Sequence, residues 1–206
     1  MLSLIRDAGW PIWPLLLTSL LGTALIIERL LSLRTKRIIP AELTEQVLDM
    51  QRKAQDGPEA LNRLEQHSPL GRIFAEVVRY RNAPPEEQRA AAEDAGRGVA
   101  HDLNRYIPAI GTVAMIAPLL GLFGTVVGMI EIFASYSPTG GDPALLARGI
   151  SIALYNTALG ILIAIPAMLA HRYLRSKVDY LLNEMEQAAS RLMRLSRAFP
   201  ATSNQP

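Results

Sequence analysis

Ile107-Pro108-Ala109-Ile110-Gly111-Thr112-Val113-Ala114-Met115-Ile116-Ala117-Pro118-Leu119-Leu120-Gly121-Leu122-Phe123-Gly124-Thr125-Val126-Val127-Gly128-Met129-Ile130 contains no Asp, Glu, Lys, Arg or His. The nearest charges are Arg105 and Glu131. A helix needs about 20 apolar residues to cross ~30 Å of hydrocarbon, and a helix of a soluble core would show a polar face within that length. This stretch shows none, so it reads as a membrane span.

Two more windows have the same character, one between Asp7 and Glu28 and one between Arg148 and His171. Charged residues make up 19% of the 206, against roughly 25% in an ordinary soluble domain. That modest deficit conceals a sharp division between charge-free windows and charge-rich stretches. The fold expected is an all-α membrane protein: three transmembrane helices, a cytoplasmic helical insert, and long helices extending into the cytoplasm.

The division expected along the chain is a periplasmic lead over 1–11, spans over 12–33, 107–133 and 146–173, a cytoplasmic helical region over 34–106, a periplasmic loop over 134–145 and a cytoplasmic helix and tail over 174–206. Trp10 and Trp13 suit the water–lipid boundary. The uncharged run from Ala8 to Ile27 exceeds the 7–15 residues of a signal-peptide core, so it is read as a retained span. Pro14 lies in an opening turn, where its missing N–H costs little. Glu28 and Arg29, at the far end, are expected to snorkel toward headgroups.

Between the first two spans, apolar residues at helical spacing alternate with breakers. Leu43, Val47 and Met50 form one pattern, Ala60 to Gln66 a second, and Ile73, Phe74, Val77 and Val78 a third. Asp56-Gly57-Pro58, His67-Ser68-Pro69 and Asn82-Ala83-Pro84-Pro85 separate them. Pro85 with Glu86 and Glu87 starts a helix, since acids favour the positive end of its dipole. That helix is expected to run unbroken into the second span. The third is expected to continue through Val178, Leu182 and Met185, and the tail after Ala198 to be disordered.

Basic residues cluster on one side of the spans: Arg34, Lys36, Arg37, Arg97, Arg105, Arg172, Arg175 and Lys177, against Arg6 and Arg148 on the other. The positive-inside rule places the N-terminus in the periplasm and the C-terminus in the cytoplasm, across a bacterial inner membrane. It also accounts for the net charge of +2 and pI near 9.1 without a nucleic-acid partner. The bilayer is the medium expected.

The second and third spans carry the informative chemistry. Ala114, Ala117, Gly121, Gly124 and Gly128 are three, four, three and four residues apart and form one stripe of small side chains, bordered by Thr125 and ending at Glu131. Ala153, Thr157, Gly160, Ala164 and Ala167 form a second, ending at His171, with Asn156 alongside. Spans associate through small residues that let backbones approach, so Gly121, Gly124, Gly128, Gly160 and Ala164 are candidates for helix packing. Thr125, Asn156 and Thr157 sit inside apolar windows, where polar groups usually face a bundle interior or a water path. They are candidate pore or proton-pathway residues, with Glu131 a candidate acid at the outer mouth.

The run Ala117 to Ile130 closely resembles the second-span signature of the MotA/TolQ/ExbB proton channel family. Gly149 to Leu154, Asn156-Thr157-Ala158-Leu159-Gly160 and Ala164-Ile165-Pro166-Ala167 resemble its third span. Three spans fit the ExbB and TolQ type better than four-span MotA stators. The resemblance implies a homopentamer whose second and third spans line a pore around the single-span helices of an ExbD- or TolR-like partner. That partner's aspartate takes up and releases protons, and force passes to a TonB-like or Tol protein. It also implies that Thr125 and Thr157 are the family's span threonines. Where ExbB and TolQ proteins usually carry glutamate, five residues before the third-span threonine, this chain has Ile152. The titrating carboxylate is then expected from the partner. Service of TonB, as in ExbB, is the leading expectation, with Tol-Pal energisation or a non-conducting scaffold as alternatives.

Enzyme chemistry is not expected. His67, His101 and His171 are scattered without metal-ligand spacing, and the chain has no cysteine. No catalytic residue, metal ligand or cofactor is assigned. A secondary transporter would need more spans, often as repeats.

Overall fold

The computed structural model describes residues 10–134 and 143–196; the lead before Trp10, most of the expected periplasmic loop and the tail lie outside them. Eight helices occur among the described residues, and no strand: α1 (Ile12–Ser32), α2 (Thr35–Ile38), α3 (Leu43–Arg52), α4 (Pro58–His67), α5 (Pro69–Arg79), α6 (Pro85–Asn104), α7 (Ile107–Ala134) and α8 (Pro143–Ser196). Three of them have stretches long and apolar enough to cross a membrane. The chain divides into two compact units, one built from residues up to Arg29 with Tyr106–Tyr173, the other from Leu30–Arg105 with the residues from Leu174 on.

In the first unit α1 presents Ile12, Leu15, Gly22 and Arg29 as its buried stripe. Thr18 donates to the Pro14 carbonyl at 2.7 Å, which satisfies the hydroxyl within its own helix. Trp13, Leu17, Leu20, Leu21, Met115, Leu119, Leu162 and Leu169 are all more than half exposed. Such a coat would drive aggregation in water; in hydrocarbon it is the surface a span needs.

Arg29 departs from the expected snorkelling. Its side chain is only 7% exposed. It donates from Nε and an Nη to the two Glu28 oxygens at 2.5 and 2.6 Å, and lies 5.2 Å from the Tyr106 ring centroid. The local carboxylate and the ring face replace the headgroups, a pairing a buried guanidinium needs.

The helix expected to run unbroken into the second span is interrupted. Arg105 is extended, with φ −53° and ψ 135°, and Tyr106 has φ +65°. The cause is Pro108. Within a continuous helix its ring would meet the Asn104 carbonyl and leave it without a donor, whereas in the first turn of a new helix neither penalty arises.

The second unit gathers its core around α5. Leu70, Ile73, Phe74, Ala75, Val77 and Val78 are buried there, with Leu61 and Leu64 from α4 and Leu43 and Val47 from α3. From α8 come Leu174, Val178, Leu181, Met185, Ala189 and Leu192, at helical spacings of three and four. The helix continues through Val178, Leu182 and Met185 as expected, with Leu181 buried and Leu182 beside it only half-buried. Buried Gln88 on α6 donates to the Val77 carbonyl at 2.8 Å, one of the acceptors that the end of α5 leaves without an intrahelical donor.

The turn between α4 and α5 is closed by its sequence. Ser68 is extended, its Oγ accepts from the Gly71 N–H at 3.0 Å, and Pro69 starts α5. A Cβ on Gly71 would stand 2.2 Å from the Leu64 carbonyl oxygen, so only glycine allows the two helices to follow so closely. Ser68→Ala is expected to lower unfolding stability by about 1 kcal/mol, the usual worth of an N-cap, measured by thermal melting in detergent.

Candidate functional site

The two stripes of small residues meet within one chain. At Gly121 an added Cβ would stand 2.7 Å from the Asn156 carbonyl oxygen, 3.0 Å from the Thr157 Cα and 3.2 Å from the Gly160 Cα. At Gly160 it would stand 2.6 Å from the Ala117 carbonyl oxygen and 3.1 Å from the Gly121 Cα. No side chain separates α7 from α8 at this point; backbone lies on backbone. One turn along, Gly124 faces the Asn156 side chain, with all three nearest atoms at 2.9 to 3.0 Å from a Cβ position. Further on, a Cβ at Gly128 would stand a tight 3.3 Å from the Ala153 Cβ. Ala117, Ala153, Ala164 and Ala167 are buried on the facing sides.

That approach brings the two threonines together. Thr125 Oγ1 and Thr157 Oγ1 are 2.5 Å apart. Thr125 Oγ1 also lies 3.0 Å from the Ala153 carbonyl and 3.2 Å from that of Gly121, and Thr157 Oγ1 lies 3.2 Å from the Gly121 carbonyl. Each hydroxyl has one proton to donate and two lone pairs to accept with. Two assignments use both protons. Either Thr157 donates to Thr125 and Thr125 to a carbonyl, or Thr125 donates to Thr157 and Thr157 to the Gly121 carbonyl. Both threonines are only half-buried.

Asn156 is 1% exposed and packs against Gly124. Glu131 is exposed, six residues beyond Thr125 near the end of α7. At the other end of the α8 stripe the His171 ring lies on Gly111, its nearest atoms 3.0 Å from a Cβ position there. The cluster is therefore Thr125, Thr157 and Asn156 around Gly121, Gly124 and Gly160. The Gly121 and Ala153 carbonyls complete it. No side-chain pattern could have announced them, because main-chain acceptors leave no mark in a sequence.

The sequence profile of the MotA/TolQ/ExbB proton channel family matches residues 65–187, which takes in α7 and most of α8. A Synechocystis protein described as biopolymer transport protein ExbB-like 3 is 35% identical over 79% of this chain and 79% of its own length. Biopolymer transport protein exbB1 of Vibrio cholerae is 30% identical over 89% of this chain and 83% of its own. The Tol-Pal system protein TolQ of Haemophilus influenzae is 35% identical over 52% of this chain and 50% of its own.

Proposed function

We propose that this chain, which belongs to the MotA/TolQ/ExbB proton channel family, is the ring-forming subunit of an inner-membrane motor in which Thr125 and Thr157 serve the proton path. The observation that carries the reading is the 2.5 Å contact between their hydroxyls, held where two helices fit to cross a membrane touch backbone to backbone. A bare packing contact needs glycine and alanine; it does not need two half-buried hydroxyls.

In this reading copies of the chain, five by the family resemblance, surround the spans of an ExbD- or TolR-like partner. The partner carries the titrating aspartate, since Ile152 puts no acid in the third span. Desolvation raises a buried carboxylate's pKa toward neutrality, so that group alternates between neutral and charged. The threonine oxygens stabilise its charged form or order the water that serves it. One charge falling through 100 mV releases about 2.3 kcal/mol, so a large conformational step draws on several protons. Glu131 would collect protons at the periplasmic mouth, and the basic flanks support a periplasmic N-terminus with the 34–106 region in the cytoplasm.

The force-receiving partner in this reading is TonB-like. What supports it is that matches over 79%, 84% and 89% of this chain carry ExbB descriptions.

Thr157→Val tests the site. It preserves shape and removes the hydroxyl, and an interhelical hydrogen bond inside a membrane is worth no more than about 1–2 kcal/mol, so assembly should persist. Proton uptake by vesicles holding the chain with its single-span partner is expected to fall to the leak of vesicles lacking the partner, and Thr157→Ser to restore it. Undiminished uptake in Thr157→Val would remove the threonines from the pathway.

A further inference from the structure

A cavity of about 260 Å³ lies among α1, α7 and the span part of α8, away from the threonine pair. Most of its wall is apolar, as hydrocarbon depth requires, with Leu15, Val113, Leu159 and Ile163 among the lining residues. Three features do not belong in such a wall. Ser19 and Thr23, one helical turn apart on α1, both line it. Opposite them on α8 stand Leu162 and Pro166. Proline has no N–H to give the carbonyl four residues before it, so the Leu162 carbonyl, on a residue that borders the cavity, lacks its helical donor.

Two other threonines in these spans satisfy themselves locally. Thr18 donates to Pro14 and Thr112 to Pro108, each four residues back. The Ser19 and Thr23 hydroxyls make no hydrogen bond among the described residues. Two hydroxyls without partners and a carbonyl lacking its helical donor therefore lie on residues bordering one space, which has room for several waters at about 30 Å³ each. Polar groups left alone in hydrocarbon are heavily penalised. A ligand that satisfies all three must accept from two hydroxyls and donate to a carbonyl. Water does both; an acyl chain does neither.

We infer that this cavity is an intramembrane water site, held by Ser19, Thr23 and the Leu162 carbonyl, that solvates α8 at Pro166. Water standing in for a missing backbone donor is a recognised origin of helix bending, so the site makes Pro166 a solvated flexion point. The inference rests only on these helices crossing a membrane and is independent of the proton-path reading.

The chain has no cysteine, so single cysteines report without background. The thiolate, which forms only where water reaches, attacks methanethiosulfonate reagents, giving a mixed disulfide and releasing methanesulfinate. In vesicles of bacterial phospholipid, Ser19→Cys and Thr23→Cys are expected to react at least about tenfold faster than Leu20→Cys, which projects outward at 69% exposure. Adding Thr23→Val to Ser19→Cys should slow its labelling about fivefold, because one of the anchoring hydroxyls is gone. If both cysteines are as inert as Leu20→Cys, lipid fills the cavity and the inference fails. It fails equally if labelling of Ser19→Cys ignores Thr23→Val, since the water then comes from elsewhere. Both replacements are close in size to the native residues.

Discussion

Gly121→Val is expected to separate α7 from α8 and leave a chain that reaches the membrane without forming a stable bundle. The new side chain starts 2.7 Å from the Asn156 carbonyl oxygen and 3.0 Å from the Thr157 Cα, both main-chain atoms. Overpacking usually costs about 1–3 kcal/mol because neighbouring side chains rotate aside. Here no rotamer offers relief, so the helices themselves must part and the loss should exceed that range. Parting them also breaks the Thr125–Thr157 contact. Thermal melting in detergent should show the effect, with Gly121→Ala intermediate and Leu119→Val, on an exposed face, near wild type. A Gly121→Val protein that melts with wild type would show that the backbone contact does not hold this pair together.

Phe74→Ala should be as severe but confined to the other unit. Phe74 is fully buried on α5, among the apolar residues that organise the second core. Removing a buried phenylalanine costs about 3–5 kcal/mol in transfer and cavity terms. The spans do not depend on it, so membrane insertion should continue at the wild-type level. The expected signature is rapid proteolysis within residues 34–104 while the span fragments stay protected by the bilayer. Wild-type protease resistance would mean that the cavity collapses at little cost.

The membrane architecture was legible because the bilayer imposes a stringent test: a span must exclude charge for about 20 residues, and three windows meet it. The short helices were legible too, since Asp56-Gly57-Pro58, Ser68-Pro69 and Pro84-Pro85 punctuate the polar region. The stripe spacing singled out Gly121, Gly124 and Gly160, but not that the two stripes meet inside one subunit. Spacing reports which face is small and is silent on what it touches. The break at Tyr106 was missed because Pro108 can be read as an interior kink or as a first-turn proline, and only the left-handed Tyr106 backbone decides. Arg29 misled for a related reason. A long side chain at a span end can reach outward or fold onto its own helix, and Tyr106, which sits beside it, is 77 residues away in sequence.

The proton accounting at Thr125 and Thr157 has one more consequence. Two hydroxyls sharing a short contact, each with a carbonyl behind it, can point their dipoles in either direction while every heavy atom stays in place. The polarity of this spot is therefore set by whatever stands next to it. An anion would turn one O–H outward, and a protonated group would meet a lone pair on the same oxygen. Such a contact can greet both forms of a titrating visitor without a rearrangement of the helices that carry it.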